Sequence, residues 1–313
     1  LESLPMSEQQ PLLDIVDLVK HFHVQSGKWP VRAVDGVSLQ VNKGETVSVV
    51  GESGCGKSTL ARAALRIHEP TAGQVIFKNQ DLLKFSQNAL RKKRKEMQFI
   101  FQDPYASLDS RWPVGRIITE PMVIHGVGDQ RTRQKKLDEL LELVGLEPEA
   151  AHRYPHEFSG GQRQRIGIAR AVALQPDLIV ADEPVSALDV SIQSQILNLL
   201  IRLKQDLHLS FIFITHDLAV VKHISDKVAV MYLGIIIEFS EVDDLFENPL
   251  HPYTKALISA IPRIDFEKRK SKEVLIGDVP DPSSPPKGCR FHPRCAYRMD
   301  ICTREKPPEM KVE

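Results

Sequence analysis

Gly51-Glu52-Ser53-Gly54-Cys55-Gly56-Lys57-Ser58-Thr59 sets glycines ahead of a lysine and two hydroxyls. The pattern G-x-x-x-x-G-K-[ST] lets backbone N–H groups close around a β-phosphate. Lys57 then reaches the β and γ oxygens, and the Ser58 hydroxyl ligates Mg²⁺. Leu178-Ile179-Val180-Ala181-Asp182-Glu183 is an apolar run ending in two carboxylates. Asp182 is placed to meet the metal, and Glu183 to act on an attacking water as general base. Phe211 to Thr215 delivers His216 at the end of a second apolar run, where it can sense a γ-phosphate, and Gln102 follows a third, where its amide can bind the metal or the water. Ser159-Gly160-Gly161-Gln162 offers a further helix start, with backbone N–H groups and a dipole that favour an anion. A complete phosphate loop plus a second anion-binding helix start suggests a phosphate held from two sides.

Positioning these groups needs strands that end at one edge. Leu12 to Val24 and Val34 to Val41 are rich in β-branched residues, and Asn42-Lys43-Gly44 supplies a turn. Thr46 to Val50 reads as a buried strand feeding the glycine-rich turn and a helix from Ser58. Gly73 to Lys78 and Met97 to Phe101 read as further strands. From Asp103 to about Pro155 the pattern is helical, with Leu137, Leu140, Leu141 and Val144 in one apolar stripe and Gly145 as its stop. Alternation resumes with the strand Leu178 to Ala181, a helix Gln193 to Leu207 and the strand Phe211 to Thr215. That order argues for a largely parallel sheet, which binds ligands at the carboxyl ends of its strands. From about Ser240 the chain reads as a tail, and Pro280 to Pro286 is a poor candidate for regular structure.

Composition narrows the class. Lys+Arg and Asp+Glu both number 41, so global charge points to neither nucleic acid nor an anionic membrane. Arg91-Lys92-Lys93-Arg94-Lys95 lacks aromatic interleaving and reads as a solvated face. No stretch approaches the roughly 18 apolar residues of a bilayer span. Leu1 to Pro5, ahead of Met6, reads as a cloning scar, and four cysteines do not make a secreted disulfide framework. The expectation is a cytosolic globular protein whose tie to a membrane comes through a partner.

These motifs stand in the order and approximate spacing of an ABC transporter nucleotide-binding subunit, with Ser186-Ala187-Leu188-Asp189 between Glu183 and His216. The resemblance covers about residues 12 to 240. Gln102-Asp103-Pro104-Tyr105-Ala106-Ser107-Leu108, Asp182 to Ser191, and Asn248-Pro249-Leu250-His251-Pro252-Tyr253-Thr254 resemble the ATPases of dipeptide and oligopeptide importers, closest to the DppF/OppF type. The resemblance implies an α/β phosphate-loop fold of ABC type. It would have a mostly parallel core with an antiparallel β subdomain (12–102 and 166–240), an inserted helical subdomain (103–165) and a cysteine-containing tail (241–313). It implies ATP and Mg²⁺, hydrolysis, and a head-to-tail dimer in which Ser159, Gly161 and Gln162 cap the γ-phosphate on the partner's loop while Asp189 communicates across the interface. Phe22 matches the aromatic that stacks on adenine, where the family more often has Tyr; Phe158 stands where many members have Leu. Implied partners are a second, different ATPase or a second copy, two transmembrane permease subunits and, indirectly, an extracytoplasmic binding protein, with the chain peripheral on the cytoplasmic face of the membrane and no nucleic acid bound. Nickel and glutathione importers share this ATPase type. An ABC protein of DNA or ribosomes is the alternative class, but such proteins usually carry coiled-coil insertions or two cassettes.

Cys289, Cys295 and Cys302 follow C-x5-C-x6-C. Zinc sites usually show tighter pairs, and the cytosol disfavours a disulfide. Three thiols on one short segment suit a soft metal. The resemblance implies a [4Fe–4S] cluster, whose fourth family cysteine lies downstream of Glu313, so that ligand would be truncated or replaced.

Overall fold

The computed structural model describes residues 10–23, 30–261 and 277–312, so the expected scar at Leu1 to Pro5 lies outside the described residues. Strands β1 (Leu13–Phe22), β2 (Val31–Val41) and β3 (Thr46–Val50) lead into helix α1 (Lys57–Ala64). β4 (Ala72–Phe77), β5 (Gln80–Asp81), α2 (Gln87–Lys93) and β6 (Met97–Ile100) follow. A helical stretch holds α3 (Pro104–Ser107), α4 (Val114–Ile124), α5 (Gln130–Leu143) and α6 (Gly160–Val172). Alternation resumes with β7 (Leu178–Asp182), α7 (Val190–Leu207), β8 (Ser210–Thr215), α8 (Leu218–Ile224) and β9 (Lys227–Tyr232). Then come β10 (Ile235–Glu241), α9 (Val242–Glu247) and α10 (Pro252–Ser259).

The chain forms two compact units, each gathered from separate stretches. Among the described residues, one takes 10–15, 39–46 and 74–213. Within it β6 and β7 pair in parallel, Met97 against Leu178 through Ile100 against Ala181. β7 is buried along its whole length, as its uninterrupted apolar run requires. In α5 the stripe Leu137, Leu140 and Leu141 is buried while Lys136 pairs with Glu139 on the outer face at 3.3 Å. Asp129 starts that helix by accepting from the Thr132 N–H, and Gly145, at φ 70°, supplies the left-handed residue beyond its end.

Among the described residues, the other unit takes 16–23, 30–38, 47–73, 214–261 and 277–312. Here β9 pairs in parallel with β3, Val47 against Lys227 through Val50 against Val230, and antiparallel with β10. The stretch Val228 to Ile237 is therefore a strand, a turn and the start of a second strand. Among the described residues no helix is long and apolar enough to cross a membrane. The core of this unit joins Val50, Val230 and Leu245 to three aromatics. Tyr232, Tyr253 and Phe291 meet edge to face at ring separations of 4.9, 5.3 and 5.6 Å. The segment after Ser240 carries more structure than its sequence suggests. Pro280 to Pro286 has no helix or strand, but α9, α10 and Phe291 belong to the core.

Candidate nucleotide site

In the unit that contains it, the phosphate loop runs from the end of β3 to the start of α1. Its glycines permit the turn. Gly56 stands at φ 110°, and a Cβ there would strike the Ala33 carbonyl; a Cβ on Gly51, at φ 154°, would strike the Met231 carbonyl. The Lys57 ammonium is buried and donates to the carbonyls of Gly51 at 2.8 Å and Glu52 at 3.0 Å. It thus sits inside the curl of the loop. No side chain caps α1, whose N-cap is Gly56, so the start of the helix, where first-turn N–H groups have no intrahelical acceptor, keeps the character of an anion site. Ser53 and Gly54 are exposed on the outer bend. The Cys55 thiol is buried, and burial pushes its pKa up. It is a packing group, and nothing places it as a ligand.

Two more expected residues lie in this unit. His216 is exposed immediately beyond β8, and Asp217 after it caps α8 through the Ala219 N–H at 2.8 Å. Phe22 ends β1 half-exposed, with His68 edge-on at 5.7 Å and the Lys20 ammonium 4.8 Å from the ring centre. It is not sealed in a core, so its ring keeps surface to offer a base.

The carboxylates lie in the other unit. Asp182 ends β7 with no exposed surface, and Glu183 follows in the left-handed region at φ 45°. For a non-glycine residue that backbone is strained, and such strain gathers at functional sites. The Gln102 amide donates to the Glu183 carboxylate at 3.0 Å, although the two are far apart in sequence. Ser186 steadies the turn by donating through its hydroxyl to the Glu183 carbonyl at 3.1 Å.

In the same unit Ser159 starts α6 with a reciprocal cap. Its hydroxyl oxygen accepts from the Gln162 N–H at 3.3 Å, and the Gln162 amide oxygen accepts from the Ser159 N–H at 3.0 Å. Two of the N–H groups expected to be open are therefore used locally. Those of Gly160 and Gly161, at the first two helical positions, have no intrahelical acceptor. Gly161 packs where a Cβ would meet the Ile192 side chain, and Gly160 where it would come 3.3 Å from Leu188. The turn is thereby seated on the start of α7. Asp189 occupies the N-cap of α7 without a side-chain cap bond, and its neighbour Val190 is 79% exposed.

Ser58, Gln102 and Asp182 are hydroxyl, amide and carboxylate oxygen donors, the set a hard cation takes when phosphates and water complete its shell. Each is by its chemistry a donor that Mg²⁺ accepts, Ser58 in one unit and Gln102 and Asp182 in the other. The cysteines fare otherwise. All are free thiols, and Cys289 and Cys295 pack against the aromatic core. Burial first, then the neighbouring Cys302 and Cys295, pushes the Cys289 thiol up. Cys302 and Cys295 each lie close enough to Cys289 to act on it electrostatically. Yet among the described residues no group of three or more His, Cys, Asp or Glu side chains is arranged to hold a metal ion. As placed, the thiols do not fit the expected [4Fe–4S] cluster, which normally takes four.

Two family models match this chain: ABC transporter over residues 34–186, and oligopeptide/dipeptide transporter, C-terminal region, over 237–302. It is 51% identical to the oligopeptide transport ATP-binding protein AppF of Bacillus subtilis, covering 97% of this chain and 95% of that protein. It is 49% identical to the dipeptide transport ATP-binding protein DppF of Escherichia coli, covering 96% and 91%. Among solved structures, the dimeric cassette MJ0796 in a post-hydrolysis state with ADP and Pi is similar with a TM-score of 0.67 and 28% identity, covering 74% of this chain and 98% of that one. CbiO1 of Clostridium perfringens, part of the transporter complex cbiONQ, is similar with a TM-score of 0.66 and 27% identity, covering 76% and 91%.

Proposed function

This chain belongs to the ABC transporter ATP-binding family, and we propose that within it the protein is the ATP-hydrolysing subunit of an importer of dipeptides or oligopeptides. The observation that carries the reading is the uncapped start of α1 with the buried Lys57 ammonium held inside its loop. Lys57 exchanges the Gly51 and Glu52 carbonyls for the β and γ oxygens of ATP, and the first N–H groups of α1 receive the phosphates. Phe22 offers its ring to adenine. Ser58, Asp182 and Gln102 would hold Mg²⁺, which when bound would neutralise phosphate charge. Glu183 takes a proton from the attacking water. Gln102, already bonded to Glu183, orients that water, and His216 senses the γ-phosphate.

The Gly160 and Gly161 N–H groups, with Ser159 and Gln162, close on the γ-phosphate of a partner's loop in a head-to-tail dimer. Asp189 and the exposed Val190 lie on that face. The partner is a second, different ATPase, or a second copy of this chain. Two permease subunits then hold the pair at the membrane and take up its opening and closing as a change of facing. The division into a nucleotide core (12–102 and 166–240), a helical subdomain (103–165) and a tail (241–313) belongs to the same reading. An iron–sulfur cluster on Cys289, Cys295 and Cys302 is its finest part, and would require the thiols to draw together with a fourth ligand. What supports it is their concentration in one short segment. Iron and acid-labile sulfide assays on anaerobically purified protein, both negative, remove it.

Glu183→Gln tests the core of the reading. Without the proton acceptor, turnover falls by about 10²–10⁴-fold while ATP binding persists. Near-normal hydrolysis in that variant overturns the assignment.

A further inference from the structure

The phosphate loop is gripped from the far end of its own unit. Glu52, its second residue, accepts both arms of the Arg294 guanidinium, at 2.7 and 3.1 Å. Its backbone N–H donates to the Tyr253 hydroxyl at 2.8 Å. Neither partner is a casual surface group. The Arg294 side chain is 6% exposed and stands over the Tyr232 ring at 6.0 Å, and Tyr253 has no exposed surface. The buried guanidinium has Glu52 as its ion partner, and a buried charge needs one. The pair is bidentate, which fixes direction as well as distance. Glu52 and Gly51 are also the residues whose carbonyls hold the Lys57 ammonium. The position of Lys57 therefore follows from where the tail places Glu52.

The segment bearing Arg294 is itself fixed. Arg290 ties it to the Leu233 carbonyl and the Asp35 carboxylate, while Phe291 fills the aromatic core between. Nothing in the phosphate pattern asks for a carboxylate at this position, which is one of its unspecified residues.

We propose that Arg294 and Tyr253 are positioning residues for the nucleotide, and that the C-terminal segment sets ATP affinity by bracing the phosphate loop through Glu52. The inference rests on the ATP-binding reading above. Its test is calorimetric titration of full-length protein with ATP and Mg²⁺, alongside steady-state hydrolysis, for wild type and for Arg294→Ala, Arg294→Lys, Tyr253→Phe, Glu52→Ala and the Glu52→Ala/Arg294→Ala double variant. Arg294→Ala weakens ATP binding and raises KM about tenfold with kcat within about twofold, and Arg294→Lys, which keeps the charge without the fork, recovers part of the loss. The double variant loses no more than the worse single one, because both act through one contact. Unchanged affinity in Arg294→Ala, or additive losses in the double variant, overturns the brace. Should Arg294→Ala fail to fold, Arg294→Lys and Tyr253→Phe carry the same test, and wild-type affinity in both overturns the brace. Wild-type protein that binds no ATP refutes the underlying reading instead, so the two failures are distinct.

Discussion

The two helix starts that can receive a phosphate are built in opposite ways. At α1 no side chain caps the helix, the glycines press on carbonyls of neighbouring strands, and the loop is held by Lys57 from within and by Tyr253 and Arg294 from the tail. At α6 the turn caps itself through Ser159 and Gln162, and both side chains are exposed. The first is preorganised by packing, so the loop keeps its shape without a side-chain cap. The second needs no outside support to keep its shape. A site for a resident ligand requires fixed geometry when the ligand is absent, because a floppy loop would lose ordering entropy on every binding event. A surface that meets its phosphate on another molecule requires accessibility.

The largest expected effect follows from the backbone at α1. Gly56→Ala places a methyl against the Ala33 carbonyl at a φ that alanine resists, and neither atom can swing aside. Strain of this kind costs about 1–3 kcal/mol, and the loop must shift to relieve it. Gly161→Ala is the contrasting case, because its backbone needs no left-handed φ and its methyl meets a side chain, the Cγ2 of Ile192, with no backbone atom in the way. The expected outcome is a melting temperature several degrees lower and ATP binding lost in Gly56→Ala, with a smaller loss of stability and ATP binding by the single subunit retained in Gly161→Ala. Equal damage from the two would break the comparison.

An intermediate effect belongs to Ser159→Ala. Losing the cap costs about 1 kcal/mol of helix stability. ATP binding by the single subunit should stay at its wild-type value, measured by titration, while ATP-dependent dimerisation, measured by light scattering on a hydrolysis-deficient background, is lost. A drop in single-subunit affinity as large as that of Gly56→Ala would make the α6 turn part of the same local site, contrary to its self-contained cap.

Much of this contrast was legible in the sequence, and the reasons are local. The phosphate loop, the apolar run before Asp182 and the Ser-Gly-Gly-Gln turn are short patterns whose meaning does not depend on distant residues. The start of α7 was less so. The apolar spacing points to a helix from Gln193, whereas Asp189 in the cap position starts it at Val190, an exposed residue that no burial pattern would include. The brace was invisible. Glu52 and Arg294 are 242 residues apart, and neither has a local pattern that calls for the other. Tyr253 stands in the Asn248 to Thr254 stretch that resembles the family, and its hydroxyl on the Glu52 N–H cannot be inferred from α10 alone. The cysteines run the other way: their concentration in one short segment suits a soft metal, while their side chains as placed do not assemble a ligand set.

The smallest effect probes the brace by pH. His251 caps α10, its Nδ1 accepting from the Tyr253 N–H at 3.1 Å, with its ring against Phe291 at 5.3 Å. That acceptor role requires a neutral ring. Burial lowers the His251 pKa below the ordinary 6.5, and the nearby Glu238 opposes this only in part. The unfolded chain therefore takes up the proton first as pH falls. Between the ordinary and the folded pKa the unfolded state binds more protons, so stability rises with pH there. The contribution is fully present above 6.5 and is lost as pH falls below it. His68 and His125 also titrate low, in each case by burial first and then by nearby cations, Arg62 and Lys20 or Arg91 and Lys95. Their slopes have the same sign, so the wild-type curve alone cannot isolate His251. Denaturant midpoints measured from pH 8 to pH 5.5 should fall more steeply for wild type than for His251→Asn, whose amide oxygen can still accept from the Tyr253 N–H and does not titrate. ATP affinity should follow the same difference, since the hydroxyl that holds the Glu52 N–H is carried on the residue His251 caps. Parallel curves for the two proteins would separate the α10 cap from the phosphate loop.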